Sequence, residues 1–311
     1  MKPAFSVLFL TTLIGAAQGL FLALVAADAL GLGAGGPAAR ALLVLGGGVA
    51  VVLAALGLVA SFFHLGRPER AWRTATMWRT SWLSREVIVL PLFIALAALW
   101  ALGQALDAGW TAPAGALAAL AAAALFVCTA MVYASVRFLQ EWASSLTLAN
   151  YTLAGLASGC TAATALAAWA APPAAPVFGG WALATTLGAL VSRCLTLARN
   201  ARLAPRSTVQ TAIGIRHPRI VQRAQGFVGR SFNTREFFHG ASAVRLRQVK
   251  WGFLLGAFIV PLALLGAGAG GPTAGLAATA FGVQYLGLLA ERWFFFAEAN
   301  HPQNLYYRSQ A

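Results

Sequence analysis

Charge is scarce in this sequence. Of its 311 residues only 10% are Asp, Glu, Lys or Arg, where a typical soluble chain carries about 25%. Cysteine is rarer still. Cys128, Cys160 and Cys194 each lie inside an apolar stretch, and none belongs to a Cys-x-x-Cys pair or a Cys/His cluster. This excludes a disulfide scaffold, and it excludes structural zinc or an iron–sulfur cluster held by this chain. The four histidines are His64, His217, His239 and His301, the last three in loops or the tail. With three methionines, no pair of axial ligands faces across helices at membrane depth, which argues against bound haem. Acids are the scarcest charge, eight against 22 Lys and Arg for a net +14. Such a balance suits nucleic acid when it covers a polar surface, so the placement of the arginines decides.

What is present is apolar surface. The chain is 59% hydrophobic with a mean hydropathy of +0.74, and the apolar residues come in runs. A bilayer core of ~30 Å needs about 20 such residues per helix. Eight stretches qualify: Phe5–Leu30, Ala39–Phe62, Val87–Leu106, Ala114–Phe138, Tyr151–Ala170, Gly180–Ala198, Trp251–Gly266 and Thr273–Ala297. Backbone amides in hydrocarbon must be satisfied within the segment, so these are helices. The fold expected is an all-α integral membrane protein, a single bundle of eight transmembrane helices over residues 1–311. The first stretch is longer than the apolar core of a signal peptide, about 7–15 residues, and Val25-Ala26-Ala27 is a poor cleavage site. It reads as a retained span. The high Ala and Gly content suits close helix packing in lipid, although a compositional bias toward alanine gives the same pattern.

The connections alternate. Those after the odd-numbered stretches are short and built of Gly, Ala and Pro; those after the even-numbered ones are longer and charged. Of the 22 Lys and Arg, only Arg40 sits beside an odd-numbered connection. Loops that stay in the cytoplasm retain Lys and Arg, which predicts both termini on the cytoplasmic side. The positive charge is a topology signal before it is a partner signal.

Ionisable groups near membrane depth are expensive, and each is a functional candidate. Most gather at the cytoplasmic end: FFHLGRPERAW (Phe62 to Trp72), LSREV (Leu83 to Val87), Tyr133 and Arg137, and LLAERWFFFAE with Glu291, Arg292 and Glu298. Trp72, Trp78, Trp82 and Trp293 rim this region. His64 titrates near neutral pH, so it suits hydrogen bonding and proton transfer to a quinone; a cap on the last carbonyls of its helix explains it equally well. Glu86, at the start of the third stretch, fits a helix N-terminus for the same electrostatic reason. The two at one depth, with Arg67 and Arg70 between, bring the functional reading level with the capping one. The region 199–250 is rich in arginine against a single acid, Glu236, and interleaved with Phe227, Phe232, Phe237 and Phe238. It suits anionic lipid or a partner protein. Arg216, Arg219, Arg223, Arg230, Arg235, Phe237 and Phe238 are the docking candidates. Nucleic-acid binding is not expected of a loop between two membrane helices.

Several of these strings resemble the DmsC family, the membrane anchors of dimethyl sulfoxide reductase-type molybdoenzymes. His64-Leu65-Gly66, Pro68 and Arg70-Ala71 resemble its HLGxPxRA element, and Leu83-Ser84 with Glu86 its LSxE element. QEWASSLTLANYTLAGLASG, Gln140 to Gly159, looks like its fourth-to-fifth connection, and Glu291-Arg292 like its final helix end. The resemblance implies a complex of three subunits in a bacterial cytoplasmic membrane. The catalytic one holds molybdopterin guanine dinucleotide, a four-cluster iron–sulfur subunit sits on the anchor, and the anchor binds a quinone, menaquinone or ubiquinone. By the same resemblance His64 and Glu86 handle protons at the quinone site and Arg70 supports it, with Arg67, Tyr133, Glu291 and Arg292 as further candidates.

The long basic connection and the opening MKPAFSVLFLTTLIGA are similar to anchors of cytoplasmic sulfite-oxidising molybdoenzymes, which favours sulfite oxidation with quinone reduction. The alternatives are a quinol-oxidising anchor, a structural anchor without quinone chemistry, and a secondary transporter. A transporter places charged groups and broken helices at the midplane, where this sequence has Ala, Leu and Gly.

Overall fold

The computed structural model describes residues 1–31, 36–221, 236–267 and 271–306. Among the described residues there is no strand. The long helices are α1 (Phe5–Ala29), α2 (Pro37–Phe62), α3 (Trp82–Leu106), α4 (Thr111–Ala134), α5 (Ser145–Ala170), α6 (Ala175–Asn200), α7 (Ala243–Gly266) and α8 (Ala274–Glu298). Seven of them, α1 to α7, are long and apolar enough to cross a bilayer, with mean hydropathies from 1.4 to 2.6. The eighth expected stretch forms α8, equal to α1 at 25 residues. It is less apolar because Gln284, Glu291, Arg292 and Glu298 are part of it.

Hydroxyl caps move several helix starts away from the apolar edges. Ser81 accepts from Ser84 N at 3.3 Å, so α3 begins at Trp82 rather than at Val87. Glu86 thus lies a full turn inside the helix, where its backbone N–H is already bonded. Ser144 caps α5 at Leu146 N and Ser242 caps α7 at Arg245 N, extending both toward the charged end. The seventh helix, expected from Trp251, begins at Ala243 and is 24 residues long. In the other direction, α4 stops at Ala134, short of Phe138, and residues 135–144 form a string of tight turns before α5.

The helices α1 and α5 form the centre. α1 packs on α2, α4, α5 and α8, and α5 on α1, α4, α6 and α8. Glycine permits their contact: a Cβ on Gly19 would collide with the Gly155 carbonyl, and one on Gly159 with the backbone of Gly19 and Leu20. Toward the far end Phe21 meets Phe93 and Trp100 edge to face, at 5.6 and 5.2 Å. Outward faces carry exposed Val52, Leu56, Leu99, Leu120, Leu187 and Leu195, as a bundle bathed in hydrocarbon requires. In α7 a π-turn at Leu255–Ile259 precedes Pro261. Proline has no N–H to give the carbonyl four residues back; the Gln284 amide donates to that Ala257 oxygen instead, at 3.3 Å.

The residues before α1 and the end of α8 meet at one end of the bundle. The Met1 nitrogen donates to the carbonyls of Phe296 and Ala299 at 3.1 and 2.9 Å. Arg199, at the end of α6, reaches the Gln140 carbonyl before α5 at 3.0 Å.

Candidate functional site

The structure divides the sequence-predicted residues into an exposed rim and a buried cluster, both at the end where Met1 and Ala299 meet. The rim is the link between α2 and α3. His64, Arg67 and Arg70 are exposed there. Pro68–Met77 winds as a tight 3-10 segment, which leans over the start of α3. Between them lies an open groove of roughly 570 Å³ whose lining includes Leu65, Arg67, Arg70, Arg73, Thr80 and Ser84. Among these arginines Arg70 has an acid nearby, Glu69 at 4.0 Å. Trp72 and Trp78 are exposed beside the groove, with Arg73 and Arg79 at 5.5 and 5.3 Å from their rings. Arg85 stacks on Trp82 at 4.2 Å. Aromatics and arginines so arranged suit the headgroup level of a membrane. The neighbouring chain partly desolvates the otherwise exposed His64 imidazole and lowers its pKa below the ordinary value, which favours the neutral form at pH 7.

The buried cluster crosses the bundle. Glu86 on α3 is 7% exposed and accepts from Thr129 Oγ1 of α4 at 2.7 Å. Tyr133, one turn further along α4, stacks on Tyr151 of α5 at 5.4 Å and packs edge-on against Trp142, Phe295 and Phe296. The guanidinium of Arg292 lies 3.7 Å from the centroid of the Tyr151 ring. Its Nε is 3.3 Å from Glu291, and Glu291 pairs with Arg193 Nε of α6 at 2.9 Å. Arg193 also faces Glu298 at 3.7 Å. Arg193, Glu291 and Arg292 are 2%, 2% and 3% exposed. At 1.5 Å of rise per residue, Glu86, Tyr151, Arg193 and Glu291 sit about 6–10 Å from their helix ends, within one slab.

Thus Tyr133, Glu291 and Arg292 gather in the bundle interior with Glu86, whereas His64, Arg67 and Arg70 stand on the rim. No hydrogen bond or ion pair joins His64 to Glu86 among the described residues. Sequence reasoning missed Arg193, Thr129 and Tyr151. Arg193 groups with the loop cations by its place near a charged connection, yet it lies seven residues before Asn200 inside an apolar helix, and that position is the signal it offers. Thr129 and Tyr151 carry no signal without a partner.

Of the docking candidates, Arg216 and Arg219 are exposed. Phe237 is half-buried and stacks on His301 at 3.7 Å, and its carbonyl accepts from Asn304 at 3.1 Å. One of its faces is therefore covered by the chain itself. Phe238 is half-buried. Arg223, Arg230 and Arg235 lie outside the described residues.

A rim of arginine and tryptophan at the α2–α3 link, above a buried Glu86, is the arrangement built by the HLGxPxRA and LSxE strings. The sequence profile described as DMSO reductase anchor subunit (DmsC) matches residues 1–216. The chain belongs to the DmsC family. Its match covers α1 to α6, and with them the rim, Glu86, Thr129, Tyr133, Tyr151 and Arg193. A curated relative from Allochromatium vinosum, named as the C component of a sulfite dehydrogenase, is 52% identical over 325 aligned positions, covering 100% of both chains. That likeness extends through α7 and α8, so the Glu291–Arg292 pair falls within it. As a DmsC-family anchor with seven helices able to cross a bilayer, this is a multi-pass membrane protein.

Proposed function

We propose that this chain is the quinone-exchanging membrane component of a sulfite-oxidising molybdenum and iron–sulfur complex. It crosses a bacterial cytoplasmic membrane eight times and has both termini inside. The observation that carries the reading is the full-length, 52% identity to the sulfite dehydrogenase component of Allochromatium vinosum. The partners are an iron–sulfur subunit and a molybdopterin subunit, seated on the arginine-rich end, with Arg216, Arg219 and the remainder of region 199–250 as the contact.

The groove under Pro68–Met77 suits the quinone headgroup. Its volume, roughly 570 Å³, falls among sites for ring-sized ligands, about 300–1,000 Å³. Its donors are Arg67, Arg70, Arg73 and the hydroxyls of Thr80 and Ser84, which hydrogen-bond ring oxygens, while Leu65, Met77 and Leu83 supply the apolar wall. A bound quinone supplies the acceptor for two electrons and two protons. The neutral His64 imidazole, next to Leu65, exchanges a proton with solvent and the site, and Arg67 and Arg70 hold negative charge at the ring oxygens. Glu86, behind Ser84 on the same helix, is the inner proton-holding group. Both protons come from the side of the basic loops.

A structural anchor without quinone chemistry is the second reading; the absence of a hydrogen bond between His64 and Glu86 favours it. His64→Ala in the assembled complex separates the two. The quinone reading expects normal copurification of the three subunits and sulfite-dependent quinone reduction slowed by about 10²-fold, the usual scale of a lost proton carrier. Full turnover in a normally assembled variant leaves only the anchor.

A further inference from the structure

The start of α7 carries positive charge that neither the rim groove nor the buried cluster uses. Arg245, Arg247 and Lys250 follow the Ser242 cap closely, and the first turn has no acid to offset them. Arg247 is exposed and Lys250 half-buried. Among the described residues neither pairs with a carboxylate, and neither side chain donates a hydrogen bond. Retention of a loop in the cytoplasm asks only for cations near the span. It does not ask for two of them over a groove.

That groove is open, roughly 520 Å³, and walled by α7 and α8. Leu246, Trp251, Phe294 and Ala297 make its apolar part, and His239 and Asn300 its polar edge. Its single acid, Glu298, faces Arg193 at 3.7 Å, so that charge is already engaged. The His239 Nδ1 accepts from the Ala241 N–H at 3.0 Å, which makes Nε2 the donor of the neutral ring.

Below the cations the same side of α7 is apolar. Arg247, Trp251 and Leu255 are spaced by four and share one face. The π-turn at Leu255–Ile259 lengthens the next turn, and both Ile259 and Val260 carry the stripe onward. Trp251, Leu255, Ile259 and Val260 are 55%, 52%, 45% and 37% exposed. Because α7 is long and apolar enough to cross a bilayer, such a stripe faces acyl chains. Trp251 then stands at the headgroup boundary, where indole is favoured, with Arg247 and Lys250 just above it.

We propose that this groove binds one anionic phospholipid, with its phosphate between Arg247 and Lys250 and its acyl chains along Trp251, Leu255 and Ile259. Two cations without a carboxylate of their own match the charge of a lipid phosphate. The volume falls in the range of ligand sites, about 300–1,000 Å³. A partner protein is the rival occupant, and the apolar stripe disfavours it, since a water-borne surface has nothing to lay along Leu255 and Ile259. Arg216 and Arg219, in the loop, stay available to such a partner. The bound lipid offsets the cations at the start of α7 and fills the space between α7 and α8. The site does not depend on the quinone reading.

The experiment uses the full-length chain, purified with the subunits that accompany it and stripped of native lipid in neutral detergent. Phosphatidylglycerol and phosphatidylcholine are titrated separately, and bound lipid is counted by native mass spectrometry. One phosphatidylglycerol is expected to bind at concentrations where phosphatidylcholine does not. Arg247→Gln combined with Lys250→Gln is expected to weaken it about thirtyfold, from the usual contribution of two cations beside a lipid phosphate. Arg137→Gln, which removes an exposed cation between α4 and α5, is expected to leave binding unchanged. Equal binding of the two lipids, wild-type affinity in the double variant, or the same loss in Arg137→Gln would overturn the site. Displacement of the lipid by glycerol 3-phosphate would also overturn it, by showing that the chains contribute nothing. If the double variant does not fold, a cryo-electron map of the unaltered protein in phosphatidylglycerol nanodiscs decides: phosphate density between Arg247 and Lys250 supports the site, and partner protein filling the groove refutes it.

Discussion

The Met1 nitrogen donates to the Ala299 carbonyl at 2.9 Å, which ties the start of α1 to the end of α8. Two helix ends in contact at one face of a bundle require an even number of crossings between them. Seven helices meet the apolar standard alone, so α8 supplies the eighth crossing in our proposed topology. Its acids and arginines face protein, not lipid. Fluorescent fusion after residue 306 is expected to glow in the cytoplasm, and a phosphatase inserted between residues 31 and 36 is expected to be active outside. Activity of a phosphatase placed at both positions would give an odd count and reject the topology.

Removing one partner of a buried ion pair leaves a charge without compensation, at a cost of about 3–5 kcal/mol. Arg193 serves two carboxylates, Glu291 and Glu298. Arg193→Met is therefore expected to destabilise the detergent-solubilised protein on that scale, read as a lower Tm. Adding Glu298→Gln restores equal numbers of charges, Glu291 with Arg292, and is expected to recover part of the loss. A double variant no more stable than Arg193→Met would show that the pairs act independently.

Seven of the eight expected spans and the location of the charged end were legible in the sequence because both depend on composition: long apolar runs, and cations confined to alternate connections. Helix ends were less so. Ser81 and Ser242 carry α3 and α7 into polar sequence by capping, which an apolar window does not detect. The site was legible only as far as side chains announce themselves one at a time. His64 and Glu86 stand near each other in sequence-derived depth, but helix rotation sends Glu86 toward Thr129 and leaves His64 on the rim. Arg193 looks like a loop cation until Glu291 is opposite it. Rotation about a helix axis is set by packing, and in spans apolar on nearly every face the pattern of residues fixes it weakly.

The crossing of α1 on α5 gives a contrast between two glycines. A Cβ on Gly159 would run into the backbone of Gly19 and Leu20, while one on Gly48 of α2 meets nothing within 4 Å. Gly159→Ala is expected to cost about 1–3 kcal/mol by forcing the helices apart. Gly48→Ala is expected to be neutral or to stabilise by up to about 1 kcal/mol through helix propensity. Thermal unfolding of the two variants side by side is the measurement, and equal effects would refute the close crossing.

Partial desolvation lowers the pKa of His64, and the sign of the linkage follows. The unfolded chain takes up this proton below about pH 6.5, while the folded state holds back until a lower pH. Between those values the unfolded state binds more protons, so stability falls as pH drops through that window and is unaffected by His64 above it. Nitrogen-15 labelling of the histidines, with His64→Gln to assign the signal, is expected to place its midpoint below about 6.5. The same variant is expected to flatten the acid side of the stability profile. A midpoint above the ordinary value would mean that a carboxylate, not burial, governs the imidazole.

Pro261 and Gln284 form a compensating pair. The proline withholds an N–H from the Ala257 carbonyl, and the Gln284 amide donates to it from α8 at 3.3 Å while also donating to Thr186 at 3.1 Å. Gln284 is fully buried, so Gln284→Leu leaves two acceptors in an apolar interior, at about 1–3 kcal/mol. Pro261→Ala supplies a backbone donor and allows the π-turn to relax toward an α-helix. If the glutamine is there to serve the proline, the loss from Gln284→Leu shrinks in the Pro261→Ala background, with a coupling of about 0.5–3 kcal/mol in the double-mutant cycle. Additive effects would mean that the amide is retained for Thr186 alone, and that the carbonyl freed by the proline is satisfied within α7.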